Sequence, residues 1–536
     1  MDILKKAQDL SVREKTAWRH RANNREFMTM ARQVSEHTPE VQGAPVVVFN
    51  ASTRLTGISL NAGYSILTAW ALRLQGVPVI HFVCQAGLSR CVLGTHRDHP
   101  DKTPPCTACI AQSQALYSGG QVRWLKPDSN QDLADKLVSL HLDDLMRVET
   151  EGLPLGKLVL PSLRWILRRH HLADDERTRF LFREYLVSAA AVARQFSALL
   201  DETKPRAVLL FNGMFYPEAV ARQLALAYGI PAISHEVGLQ PFSAFFTTGE
   251  ATAYPIDIPE KFELSLTQIQ QLDAYLEQRF RGNFSMAGIR FWPDMQPLSP
   301  EFWQRVGKFK QIVPVFTNVI FDTSQGHANV VFPHMFTWLD QVLEIIQNHP
   351  ETYFVIRAHP DESRLGKESR ESVADWARSR GIENLSNVLF VDSREYFSSY
   401  ELIQRSKFVM VYNSTIGLEA SILGMPVLCG GKARFTQIPT VFFPETAEDY
   451  RSTAEDFLSR ERIEIPPEFQ KNARTFLYYQ IFKTSLSFEQ FLVDDKIWPG
   501  FVKLHPGLTW GQLLPEHSPE MKIILDGILH GKPFLA

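Results

Sequence analysis

Three short stretches of this chain carry side chains that a hydrophobic core has no use for. In Val409-Met410-Val411-Tyr412-Asn413-Ser414-Thr415-Ile416-Gly417-Leu418-Glu419, an apolar strand runs into an amide and two hydroxyls, then through a glycine into a helix with one acid in its first turn. Hydroxyls and free amides at a helix start can hold a phosphate. Gly417 would let the backbone approach it, and Glu419 lies at a reach suited to two ribose hydroxyls. The competing reading is that Ser414 and Thr415 cap the helix and that Glu419 is a favourable first-turn acid. In Arg357-Ala358-His359-Pro360-Asp361-Glu362, His359 can steady developing negative charge, while Arg357 either touches a phosphate or pairs with Asp361 or Glu362. In His235-Glu236-Val237-Gly238, Glu236 can take a proton from an attacking hydroxyl, with the neutral imidazole of His235 as the fallback. Asn212-Gly213 on the acceptor side, and Asn318 and Asp322 on the other, either orient ligands or cap loops.

These groups need elements to bring them together. Strand-then-helix alternation occurs twice. The first run has strands at Pro45–Phe49, Val77–Val83, Ala207–Phe211 and Ala232–Ser234, and helices at Asn61–Leu74 and Pro217–Tyr228. The second has strands at Ile312–Thr317, Tyr353–Ala358, Val388–Val391, Phe408–Tyr412 and Pro426–Leu428. Continuous apolar runs of this kind suit parallel strands buried on both faces. The expected division is a basic helical segment at 1–40, a first Rossmann-like domain at 41–255 with a helical insertion at 131–203, and a proline-containing linker at 256–305 that holds one helix, Leu266–Arg281. A second Rossmann-like domain at 306–465 and a helical tail at 466–536 follow. Ligands of such sheets sit outside the carboxyl ends of the strands. Each motif above follows a strand, so one rim should gather them all.

The ordered set His235-Glu236-Val237-Gly238, His359-Pro360 and Ser414-Thr415 resembles the three-part signature of certain inverting GT-B glycosyltransferases, the bacterial sialyltransferases and capsule-type Kdo transferases. With Asn212-Gly213, Thr317-Asn318, Arg357–Pro360 and Asn413–Glu419 added, the pattern resembles capsule polysaccharide biosynthesis proteins over residues 205–430. The resemblance implies an α/β, GT-B-like fold: two Rossmann-like doubly wound domains facing a cleft, with a helical insertion and C-terminal helices. It also implies transfer of a sugar from a nucleotide-sugar donor, CMP-linked by preference and UDP- or GDP-linked as alternatives, to a glycan or lipid-linked glycan acceptor of a surface polysaccharide. In that family the acid-x-Gly motif supplies the general base, and the His-Pro and Ser/Thr motifs bind the donor's phosphate and sugar. The chain has no Asp-x-Asp triplet, so the expected transfer needs no metal or other cofactor. Three other readings stay open: a CDP-polyol phosphotransferase of teichoic-acid type, a nucleotide-sugar epimerase, and a non-catalytic scaffold of the same fold.

Composition sets the outer limits. With 536 residues, 45% of them apolar and 21% charged, the chain is too long for one ordinary core and suits two soluble domains. A formal charge of −3 gives no global attraction to nucleic acid. No apolar run approaches the ~18 residues of a membrane span, and Met1-Asp2-Ile3-Leu4-Lys5-Lys6 lacks the apolar core of a secretory signal. The expected location is therefore the cytoplasm. Lys6, Arg13, Lys15, Arg19, Arg21 and Arg25 form either a helix resting on the inner face of the membrane or a solvated helix that also holds Asp9, Glu14 and Glu26. Four of the five cysteines fall together as Cys84, Cys91, Cys106 and Cys109. Four thiolates at these spacings can hold a structural zinc or an iron–sulfur cluster; the alternative is reduced thiols packed in a loop.

Overall fold

In the computed structural model the described residues are 2–51, 57–128, 130–281, 295–364 and 366–536, with residues 2–15 as backbone alone. The first run of alternation gives β1 (Val46–Asn50), β2 (Val79–Cys84), β3 (Gln121–Leu125), β4 (Ala207–Phe211), β5 (Ala232–Val237) and β6 (Ser243–Thr248). The second gives β7 (Gln311–Phe316), β8 (Thr352–Arg357), β9 (Val388–Val391), β10 (Val409–Val411) and β11 (Val427–Cys429). The tail adds β12 (Leu486–Ser487), β13 (Leu492–Asp494) and β14 (Val502–Leu504).

Two sheets result, ordered β12-β6-β5-β4-β1-β2-β3 and β11-β10-β7-β8-β9. Strands β1–β5 pair in parallel, as do all five of the second sheet; β6 and β12 add an antiparallel edge to the first. Each parallel set reverses direction of growth once, beside β1 and β7, which is the switch point where doubly wound sheets take ligands. The central strands are apolar throughout because helices cover both faces. Alternate residues of β1 enter different cores: Val46 and Val48 pack with the helix Leu60–Leu74 and the tail. Val47 and Phe49 pack with the helices Leu155–Leu167 and Glu176–Thr203. This is the GT-B-like plan of two doubly wound α/β units.

Several elements differ from the expectations. β3 and β6 escape the apolar-run criterion, β3 because it is an edge strand alternating Gln-Val-Arg-Trp-Leu with its polar residues exposed. The helix expected in the proline-containing stretch 256–305 is present at Leu266–Phe280, opened by a Ser265–Gln268 capping box, but it packs through Leu272 and Leu276 into the core of the second sheet rather than serving as a linker alone; residues 282–294 lie outside the described ones. The tail is only partly helical. Its helix Pro467–Tyr478 joins that same core, after which the chain crosses back. There β12 pairs with β6, β13 and β14 form a hairpin, and the helix Pro519–His530 packs with Leu60–Leu74. The amino-terminal helix Asp2–His37 buries Phe27, Met30, Ala31 and Val34, the spacing of one helical face. Arg19, Arg21 and Arg25 are exposed, while the side chains of Lys6, Arg13 and Lys15 lie outside the described residues. Among the described residues no helix is long and apolar enough to cross a membrane.

Away from the strand ends, the two domains meet through a chain of histidines. Thr337 N–H donates to His334 Nδ1 at 3.2 Å, His334 Nε2 lies 3.1 Å from His171 Nε2, and His171 Nδ1 bonds Glu371. One self-consistent assignment makes both rings neutral, with His334 donating through Nε2 and His171 through Nδ1. The buried His170 ring packs 5.0 Å from that of His334.

Candidate functional site

A cavity of about 240 Å³ opens at the carboxyl ends of β7, β8 and β10. Of the residues singled out from sequence, Arg357, His359, Ser414, Thr415 and Glu419 line it together. His359 Nδ1 accepts the backbone N–H of Asp361 at 3.1 Å, so in the neutral ring Nε2 carries the proton and is the donor. Burial lowers the His359 pKa, Arg357 lowers it further, and Asp361 and Asp322 oppose; at neutral pH the ring is an uncharged donor.

The hydroxyls of Ser414 and Thr415 sit at the start of the helix Ile416–Ile422, and that helix has no side-chain cap. The capping alternative therefore does not account for them. Asn413 and Asn318 tie two strand ends together, Asn318 Nδ2 donating to Asn413 Oδ1 at 2.6 Å. Gly417 has a different task from the one expected. It is buried, and a Cβ there would lie 2.9 Å from Val411 Cγ2 and 3.1 Å from Phe435 Cζ. The missing side chain lets the helix pack on its strand rather than admit a ligand.

Two more expectations need correction. Arg357 pairs with neither Asp361 nor Glu362. It is 4% exposed, donates to Phe397 O at 2.7 Å and to Ser399 Oγ, and stacks on the Phe397 ring, fixing the wall at 397–399. Burial pushes its pKa down to about 10. Glu419 is buried in an ion pair: Arg279 donates to Oε1 through Nε at 2.7 Å and through Nη2, and Tyr400 OH donates to Oε2 at 2.5 Å. Its carboxylate is thus engaged by protein, not held open for two ribose hydroxyls. Arg279, Ser399 and Tyr400 line the cavity and were missed. Inspecting the segment after β9 would have found Ser399 and Tyr400; Arg279 sits in a helix with no motif to mark it.

On the first sheet, Glu236 is the penultimate residue of β5 and is partly exposed. Asn212 Nδ2 donates to Oε2 at 2.8 Å, while Asn61 Nδ2, at 3.2 Å, and Val237 N–H, at 2.8 Å, donate to Oε1. The Asn212 orientation is fixed because its Oδ1 accepts Met214 N–H at 3.0 Å. Asn212 and Gly213 both adopt left-handed backbone, with φ of 62° and 84°; the turn is what brings the amide under the carboxylate. Burial raises the Glu236 pKa, and the three donors and Arg434 oppose it. His235, the fallback base, is fully buried against the helix Leu60–Leu74, with Nε2 2.8 Å from Ser65 Oγ and Nδ1 3.2 Å from Asn61 Oδ1. It has no access to an acceptor and instead orients Asn61, which sequence reasoning passed over.

The sheets approach each other here. Arg434, from the segment after β11, lies 3.6 Å over the ring of Tyr254, whose hydroxyl donates to Val237 O. Asp322 is exposed and within electrostatic reach of Tyr254 and His359. Glu236 is thus coupled electrostatically to Arg434 and Tyr254, and Asp322 links Tyr254 to His359 at the cavity. The four clustered cysteines line a separate small cavity beside the ends of β1 and β2. Among the described residues no group of three or more His, Cys, Asp or Glu side chains stands in metal-holding geometry.

Residues 304–455 match the family model for capsule polysaccharide biosynthesis proteins. That stretch is a capsule polysaccharide biosynthesis-type domain. The capsule-type domain contains β7–β11 and, with them, Asn318, Asp322, Arg357, His359 and the Asn413–Glu419 run; Glu236 and Arg279 lie before it. Among solved structures, the chain is similar to KpsC β-Kdo 2,4-transferase of Thermosulfurimonas dismutans, at 15% identity over 52% of this chain and 80% of that one, with a TM-score of 0.34. The β-Kdo 2,7-transferase of the same KpsC gives 15% identity over 52% and 79%, with a TM-score of 0.32. UDP-GlcNAc 2-epimerase of Neisseria meningitidis gives 12% identity over 81% of this chain and 98% of that one, with a TM-score of 0.24. No curated protein sequence matches the chain.

Proposed function

We infer that this protein is an inverting, metal-independent glycosyltransferase that moves a sugar from a nucleotide-sugar donor to a glycan or lipid-linked glycan acceptor of a capsule-like polysaccharide. The observation that carries the reading is the division of groups between the two sheets. One presents an uncharged imidazole donor and two uncapped hydroxyls around a cavity, and the other presents a carboxylate held by two amides. The capsule-type domain supports the same class.

The chemistry follows from the groups. Glu236 takes the proton of the acceptor hydroxyl as its oxygen attacks the anomeric carbon. The bond to the leaving nucleotide breaks with its electron pair passing to phosphate oxygen. Nε2–H of His359 and the hydroxyls of Ser414 and Thr415 meet that charge. Asn61 and Asn212 hold the Glu236 carboxylate in the ionised form the first step requires. Asn318, Asn413 and Asp322 fix the strand ends around the sugar. The reading puts the enzyme in the cytoplasm, with its basic amino-terminal helix against the inner membrane face, and favours a CMP-linked donor over UDP or GDP.

Melting temperatures of the wild type and of His359→Ala in CMP, CDP, UDP and GDP test it. A ligand at 100 times its Kd stabilises the native state by about 2.7 kcal/mol. One nucleotide should raise the wild-type Tm and leave a folded His359→Ala unmoved. No shift at millimolar nucleotide overturns the donor site, and a shift equal in both proteins overturns the role of His359.

A further inference from the structure

Cys84 ends β2, Cys91 lies in the loop that follows, and Cys106 and Cys109 form the first turn of the helix Cys106–Leu116. All four line one cavity of about 20 Å³, walled otherwise by apolar groups such as Leu88, Pro104 and Ile110. None is in a disulfide. Two of the sulfurs are addressed by backbone donors. Gly94 N–H points at Cys91 Sγ at 3.2 Å, and the N–H groups of Ala86, Gly87 and Leu88 face Cys84 Sγ. A neutral thiol is a weak acceptor. Several N–H groups turned on one sulfur is the surrounding of a thiolate.

The backbone is bent to produce this. Ala86 has a φ of 59°, the left-handed region that a residue with a Cβ rarely adopts. A Cβ on Gly94 would stand 2.7 Å from Cys91 Sγ, so only glycine lets the chain fold over that sulfur. Four thiols from three segments of the chain, folded over by these turns, thus share one small and otherwise apolar cavity.

We propose that Cys84, Cys91, Cys106 and Cys109 bind one zinc ion as a tetrathiolate. Zinc takes four thiolates tetrahedrally at about 2.3 Å, and binding releases the four thiol protons to solvent. The sulfurs surround the cavity rather than standing at ligand distance, and they close on the ion through side-chain rotation, one rotamer change moving a sulfur by about 3 Å. The proposal commits to a single ion, and an iron–sulfur cluster on the same four thiols is an outcome that the test distinguishes. The ion is structural: it ties the end of β2, the 85–105 loop and the start of a helix to Ala51, just past β1, on the sheet that carries Glu236.

The test uses the full chain, produced with zinc in the medium. Elemental analysis should find about one zinc per chain. Replacement by cobalt should give the strong visible bands of a tetrahedral site and a sulfur-to-cobalt charge-transfer band sized for four thiolates. Cys91→Ser and Cys106→Ser should each lower the zinc content, and Cys429→Ser should leave it unchanged. A folded, zinc-free protein whose cluster thiols all react with Ellman's reagent overturns the proposal. So does iron with labile sulfide, or cobalt spectra without thiolate bands. Because wild-type content and the cobalt spectrum decide the matter, a cysteine variant that fails to fold leaves the test intact.

Discussion

Replacing Arg279 by methionine should expose how the floor of the cavity is held. Arg279 and Glu419 are 10% and 5% exposed, and Arg279 supplies two of the three side-chain hydrogen bonds to the carboxylate. Methionine keeps most of the apolar stem and removes the charge, leaving a buried anion with only the Tyr400 hydroxyl. Breaking a buried pair in this way costs about 3–5 kcal/mol. At a urea slope of roughly 2–3 kcal/mol/M, the unfolding midpoint of the second domain falls by about 1–2 M. Adding Glu419→Gln removes the stranded charge while the amide oxygen still accepts from Tyr400. The double variant should therefore be more stable than Arg279→Met, and its loss should be at least about 2 kcal/mol smaller than the sum of the single losses. Urea titrations of the four proteins, followed by tyrosine and tryptophan fluorescence, give the cycle. If Arg279→Met lies within about 1 kcal/mol of the wild type, or if the two changes add, the pair is not what holds the floor and Glu419 is available to a ligand after all.

Glu236→Gln should lower kcat by about 10²–10⁴-fold with little change in donor KM, measured as sugar transfer once the donor is known. Asn212→Ala removes a donor to the Glu236 carboxylate, so the acid limb of its pH–rate profile should move to higher pH. Burial lifts Glu362 to about 8; this pKa lies above the unfolded one, so its contribution is full below about pH 4.5 and is lost as pH rises through 8. Glu362→Gln should match the wild type in Tm near pH 5 and exceed it at pH 9. The histidine seam acts on the other limb. Burial first, then Arg164, hold His170 down to about 3, and His334 is lowered too. Folded values below the unfolded ~6.5 mean that stability is lost as pH falls below that point. The Tm of His170→Gln/His334→Gln should fall less between pH 7 and pH 5 than that of the wild type.

Much of the architecture was legible because buried parallel strands announce themselves as unbroken apolar runs; β4 and β9 fall where the sequence puts them. The rule that function follows strand ends led to Glu236, His359, Ser414 and Thr415. It put Glu236 ahead of His235 on proton chemistry alone; neighbours on a strand face opposite ways, and it is the helix Leu60–Leu74 that covers His235. Asn61 and Tyr400 lie beyond the ends of β1 and β9 and answer to the same rule. Arg279 and Glu419 lie 140 residues apart, and no local pattern records such a pairing. Gly417 shows the converse. A glycine beside hydroxyls reads as room for a ligand, yet the contacts that exclude a side chain there come from Val411 and Phe435.

The return of the tail to the first sheet has a consequence for biosynthesis. Strands β1–β6 emerge early from the ribosome, but the sheet's outer strand β12 and the helix Pro519–His530 that shields Leu60–Leu74 are made only after the whole second sheet. Of the fifteen residues in the Leu60–Leu74 helix, fourteen are buried in the finished protein. Until that strand and helix have been made, part of that apolar surface and the open side of β6 stay uncovered. The domain made first is the domain completed last, and the capsule-type domain can close around its own core while the other still waits for its final strand and helix.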